Sequence, residues 1–242
     1  TLHTIKEAVL ARPTFFDHFD SVLIDWRYLH EKEAAALRRE SGWLARQRIR
    51  IYVDLSSGLN LFPDLRLVNN DDAPYQESRN AVRDVVDKMP ALGAKDMILT
   101  LHRGPENNFT GEQASASFDA TVREICAQAA QNGITVYLRM SMKGLSNPNE
   151  MMAFSQRVGA SNLLFAPSLA LLVHRRIAPD ALKPEFLEKT GLWLASAPGY
   201  DNNGALWSLS QPLCHRIDTG VLRSYIQRAP KAAVVLDSVY AS

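Results

Sequence analysis

Five side chains able to move protons or grip an anion close apolar runs in this 242-residue chain: Asp25, Asp54, His102, Arg139 and Asp237. Paired carboxylates on facing strands work as general acid and base where their surroundings separate their pKa values. A histidine exchanges protons near neutral pH, and arginine grips a carboxylate or phosphate through two parallel hydrogen bonds. Asp54, His102 and Asp237 are therefore the candidate catalytic groups, with Asp25 and Arg139 as candidate substrate-binding groups. Each has a structural counterpart, since a strand-end Asp also caps the next helix and an arginine among carboxylates also serves as their counter-ion. Tyr200, Asp201 and Trp207 join the binding set, because flat aromatic faces stack on sugar rings while acids and the amides of Asn202 and Asn203 bond hydroxyls. Tyr75 offers the same chemistry from another loop.

The elements that must position these groups follow from the pattern of apolar runs. Runs at Ser21–Asp25, Ile49–Leu55, Asp96–His102, Ile134–Arg139, Asn162–Phe165, Leu192–Ala195 and Ala232–Asp237 alternate with amphipathic stretches and are not joined by tight hairpins. Such strands need crossover connections, hence a parallel sheet covered by helices. The expected fold is α/β, a parallel (β/α) barrel of the TIM type, in one domain spanning residues 1–242. Helical spacing is clear at Val82, Val85, Val86, Met89 and Leu92, and again at Phe118, Val122, Ile125 and Ala129. Gly93 and Asn132-Gly133 then end those helices, Pro148 suits the first turn of another, and Asp218 or Thr219 is placed to cap the last. In such a barrel the chemistry lies at the C-terminal strand ends and the loops beyond them. Two of those loops, Ser56 to Gln76 and Ala197 to Asp218, are long enough to serve as lids or binding loops.

Composition narrows the function classes. A formal charge of +1, spread without a basic run, gives no nucleic-acid footprint, and no apolar stretch is long enough to span a membrane. Cys126 and Cys214 lack metal-ligand spacing and read as buried thiols, and His174 reads as structural. No Gly-rich phosphate loop or nucleotide fingerprint occurs, so no cofactor is expected. Nothing assigns a compartment. The chain opens on a helix, Thr4 to Asp17, without a strand before it, and stops shortly after the last strand. The expectation is a barrel with one βα unit lacking or truncated, carried in a longer protein with possible flanking domains.

From Glu77 to Gly144 the layout resembles the xylose-isomerase-like, or sugar phosphate isomerase/epimerase, superfamily. The elements are a helix ending in Leu92-Gly93-Ala94, a strand ending in His-x-Gly at His102 and Gly104, a long helix closing at Ala129 to Gly133, and then a strand. The resemblance implies a barrel acting on a sugar, a sugar phosphate or abasic nucleic acid, commonly with a divalent metal held by strand-end acids and histidines. This chain departs from that metal set: Arg139 stands where the family places a Glu, and Phe165-Ala166-Pro167-Ser168 and Ala195-Ser196-Ala197-Pro198 replace further ligands. Asp237 alone keeps a carboxylate, so no metal is expected. Three readings follow. One is a metal-independent isomerase, epimerase, hydrolase or lyase acting on a small-molecule carbohydrate. Another is a degenerate barrel that binds carbohydrate or supports a larger polysaccharide-processing protein. The third is a divalent-metal isomerase or endonuclease using Asp25, Asp54, His102 and Asp237.

Overall fold

The computed structural model describes residues 5, 7, 20–55, 65, 73–100, 111–141, 145–195, 199–200, 206–207 and 219–236. Hydrogen bonding orders the strands β1 (Ser21–Asp25), β2 (Arg50–Asp54), β3 (Asp96–Thr100), β4 (Thr135–Arg139) and β5 (Leu163–Ala166) in chain order within one sheet. β6 (Leu192–Ala195) pairs in parallel with β9 (Ala233–Leu236), while β7 (Gly199–Tyr200) and β8 (Leu206–Trp207) form a separate antiparallel ribbon. All seven expected strands are present. The chain divides into two compact units, Thr1–Leu99 with Asn107–Val136 and Thr100–Glu106 with Tyr137–Ser242.

In the first unit β1 and β2 run parallel with Asp25 opposite Asp54, and Asp54 in turn lies opposite Ile98 of β3. Helix α1 (Trp26–His30) follows β1 without a loop, and α2 (Ala34–Arg46) leads to β2. The long helix α3 (Ala73–Leu92) buries Val82, Val85, Val86, Met89 and Leu92, the face marked out by their helical spacing. Helix α4 (Gly111–Gln131) likewise buries Phe118, Val122, Ile125 and Ala129. Both end at glycines in the left-handed region, Gly93 at φ 81° and Gly133 at φ 65°. Cys126 is buried and its thiol is pushed up to about 12 by loss of solvent, as befits an inert core thiol. Two features differ from the sequence reading. Helix α3 begins at Ala73, inside the expected loop, and carries Tyr75 into the core, where it is 4% exposed and its hydroxyl lies 3.3 Å from Thr121 Oγ1. Tyr75 is thus a packing residue between two helices and not a ligand platform. The stretch Thr4 to Asp17 falls almost wholly outside the described residues.

In the second unit Asn147 caps α5 (Pro148–Val158) by accepting from the Glu150 amide, with Pro148 in the first turn and Gly159 at φ 70° closing the helix. Ser168 caps α6 (Leu169–His174), which leads through α7 (Pro184–Lys189) to β6. Single parallel bridges, Phe165 to Thr190 and Ser168 to Leu194, align β5 with β6. Trp193 of β6 is fully buried, and burial of such a side chain contributes about 1.5–3 kcal/mol. Gly191, just before β6, has no room for a side chain: a Cβ there would lie 2.6 Å from the Tyr137 ring and 2.9 Å from Leu164 Cδ1. Helix α8 (Thr219–Ile226) precedes β9, and its Tyr225 hydroxyl donates to the Ile177 carbonyl. The β7–β8 ribbon is a hairpin-like element absent from the sequence reading, set within the long loop Ala197 to Asp218.

Candidate functional site

Asp25 and Asp54 form the clearest constellation. They end adjacent parallel strands and are direct register partners, so both side chains leave the same side of the sheet. Like charges at directly paired positions on neighbouring strands repel, and a nearby cation eases that repulsion. Arg27 is that cation. Its backbone N–H donates to Asp25 Oδ1 at 2.9 Å, its Nε to the same oxygen at 2.7 Å and its Nη2 to Oδ2 at 2.5 Å. The same carboxylate is the N-cap of α1, and its hydrogen bond holds the Arg27 guanidinium above its usual range. The guanidinium also lies 5.9 Å from the centre of the Trp26 ring. Asp25 is therefore committed at both oxygens, the capping role that its strand-end position allows. Asp54 is half-buried and ends its strand beside this neutralised pair. Sequence reasoning missed Arg27 as its partner, although an Asp at a helix start with an Arg two residues on is the local signal for such a clamp.

In the second unit Arg139 ends β4, half-buried, and the following Met140 amide donates to Ala166 O at 3.1 Å. β5 and β6 end on Ala166 and Ala195, which carry no donor atom. Tyr200 lies opposite Leu206 and Trp207 opposite Gly199, so the ribbon register puts positions 200 and 207 on opposite faces. His102, Asp201 and Asp237 lie outside the described residues, as does Cys214. A divalent metal does not fit the donors at the ends of β4 to β6, which are one guanidinium and two alanines. Among the described residues no group of three or more His, Cys, Asp or Glu side chains is placed to hold a metal ion. No helix among them is long and apolar enough to cross a membrane.

No protein-family profile matches the sequence, and no curated protein does. Solved structures do. The D-psicose 3-epimerase with D-tagatose from Clostridium cellulolyticum H10 superposes with a TM-score of 0.76 at 11% identity, over 99% of this chain and 81% of that one. The fold is of the TIM-barrel type. A xylose isomerase domain protein from Alicyclobacillus acidocaldarius subsp. acidocaldarius matches with a TM-score of 0.69 at 15% identity, over 100% of this chain and 86% of that one. The probable 3-DHS dehydratase AsbF from Bacillus anthracis matches with a TM-score of 0.67 at 11% identity, over 97% and 88% of the two chains. Identities this low speak to the fold, and function has to be argued from the site.

Proposed function

We propose that this barrel acts on a sugar or sugar acid by proton transfer, in the manner of an isomerase or epimerase, without a divalent metal. The observation that carries the reading is the register-paired Asp25 and Asp54 at the C-terminal strand ends, one carboxylate neutralised by Arg27 and the other beside it. It is supported by the likeness in fold to D-psicose 3-epimerase and to a dehydratase. In this scheme Asp54 is the base that takes the proton from the carbon next to a sugar carbonyl, beside the Asp25–Arg27 pair. Arg139 holds an anionic substituent, while Tyr200, Asp201 or Trp207 contact the ring. The second reading is a barrel that binds carbohydrate without turning it over. The commitment of Asp25 to Arg27, and the bare alanines ending β5 and β6, favour that one.

Deuterium exchange in D2O separates the readings. The protein is incubated with D-psicose, D-tagatose, D-fructose and a uronate in the presence of a chelator, and loss of the exchangeable C–H signal is followed by NMR. The expected result is exchange that survives chelation and falls at least about 100-fold in Asp54→Asn. Exchange that requires added Mn or Mg refutes metal independence. Calorimetric binding without exchange on any of these sugars leaves the binding barrel.

A further inference from the structure

Helix α2 and the turn that follows it carry Arg38, Arg39, Arg46 and Arg48, and Arg50 opens β2, within a short stretch of the first unit. The whole-chain charge of +1 averages this concentration away. Arg38, Arg39, Arg46 and Arg48 are exposed, and among the described residues their side chains make no hydrogen bond or ion pair. Glu40 of the same helix does not balance them: it is turned inward, bonded by Lys32 at 2.8 Å and by the Tyr28 hydroxyl. Arg38, Arg39, Gly42 and Arg46 fall on one helical face at three- and four-residue spacing, with half-buried Trp43 on its flank. Arg50 is already paired, donating to both oxygens of Asp96 at 2.8 and 2.7 Å, so beyond the helix and its turn Lys95 extends the basic surface, along a cavity of about 360 Å³. Arginines in the last turn of a helix complement its dipole, which accounts for Arg46 but not for Arg38 or Arg39.

Two residues here sit where stability alone would choose others. Gly42 lies inside an exposed helix, where alanine is the better former, and a Cβ at that position would meet only Arg46 Nη1 at 4.0 Å. Arg48 adopts φ 56°, at the helix-to-strand turn that Gly93 and Gly133 occupy after α3 and α4. A bare glycine amid unpaired guanidinium groups admits a backbone closely, and Arg48, like Arg176 at φ 55° elsewhere in the chain, holds a left-handed position that glycine would occupy without strain. We propose that this face binds a single-stranded nucleic acid, with Arg38, Arg39, Arg46 and Arg48 on phosphates and Trp43 stacking on a base. Guanidinium groups suit phosphate oxygens, an aromatic side chain among cations suits bases, and the face lacks the apolar residues needed to enter a membrane.

Fluorescence anisotropy with a labelled oligothymidylate across a salt series tests this on the full chain. Four phosphate contacts predict a slope of log K against log salt of about −3, and each single Arg→Gln change should reduce it by about 0.7. Trp43→Ala should weaken binding about five- to 150-fold. Gly42→Ala and Arg48→Gly are the discriminating variants, because each should raise the melting temperature while weakening binding. A misfolded protein cannot give that combination. The absence of binding at low salt, or slopes unmoved by the arginine changes, overturns the proposal. Binding of a sulfated polysaccharide but not of the oligonucleotide overturns it in favour of a carbohydrate polyanion.

Discussion

Replacing Asp25 by alanine and by asparagine separates what this carboxylate does for the fold from what it does as a charge. Alanine removes the acceptor for the Arg27 amide, a cap whose loss costs about 1 kcal/mol, and with it the ion pair to the guanidinium. The pair is partly open to water, with the Arg27 side chain 21% and the Asp25 side chain 39% exposed, so it adds no more than about 0.5 kcal/mol. The sum is about 1.5 kcal/mol, a fall of about 3–6 °C in melting temperature for a chain of this size. Asparagine keeps an oxygen for the cap and forfeits only the pair, a loss of about 0.5 kcal/mol. Urea titration of both variants reads these values from the midpoints, provided the slopes match the parent. An asparagine variant more stable than the parent would mean that repulsion from Asp54 outweighs the Arg27 contact, and the account of a neutralised pair would fail. An asparagine loss as large as the alanine loss would show that charge, and not capping, holds the start of α1.

Gly191→Ala should cost about 1–3 kcal/mol in urea midpoint, because its methyl overlaps the Tyr137 ring, and pairing it with Tyr137→Ala should recover part of that loss. Tyr75→Phe should lose about 1 kcal/mol, since the buried hydroxyl near Thr121 goes without replacement, and should leave any carbohydrate affinity unchanged in calorimetry. Alkaline stability follows from two groups that burial raises: Cys126, pushed up to about 12 from 9.0, and Tyr52, pushed up to about 12 from 10.0. Both are neutral in the folded chain and ionise more readily when unfolded, so their contribution is intact below pH 9 and is lost progressively as pH rises toward 12. Unfolding midpoints that stay level across that window would contradict it.

Strand placement was legible because each strand is a short apolar run ended by a polar residue. β1 and β6 occupy the expected residues, and β4 starts one position later than the run Ile134–Arg139. Helices α3 and α4 were legible by spacing and by the glycines that end them. The start of α3 was not, because Ala73 and Pro74 open it amid polar residues and Tyr75 looks like a loop aromatic until the facing helix is known. The β7–β8 ribbon escaped because two residues per strand are too few to show alternation. At the candidate site the strand-end positions could be read, but the partnership of Asp25 with Arg27 was passed over although its local signal, an Arg two residues after a helix-starting Asp, is in the sequence. Capping, ion pairing and catalysis draw on the same residue types, and only geometry tells them apart.

The tight seat of Gly191 against Tyr137 and Leu164 has a consequence for how the second unit rejects misalignment. Parallel strands joined by long crossovers have no turn to fix their register, and a slip by one residue reverses every side chain. Were β6 to slide by one position, Thr190 or Leu192 would meet the Tyr137 ring in a space that already excludes a single methyl group. The ring of β4 thus proofreads the alignment of a strand that arrives much later in the chain.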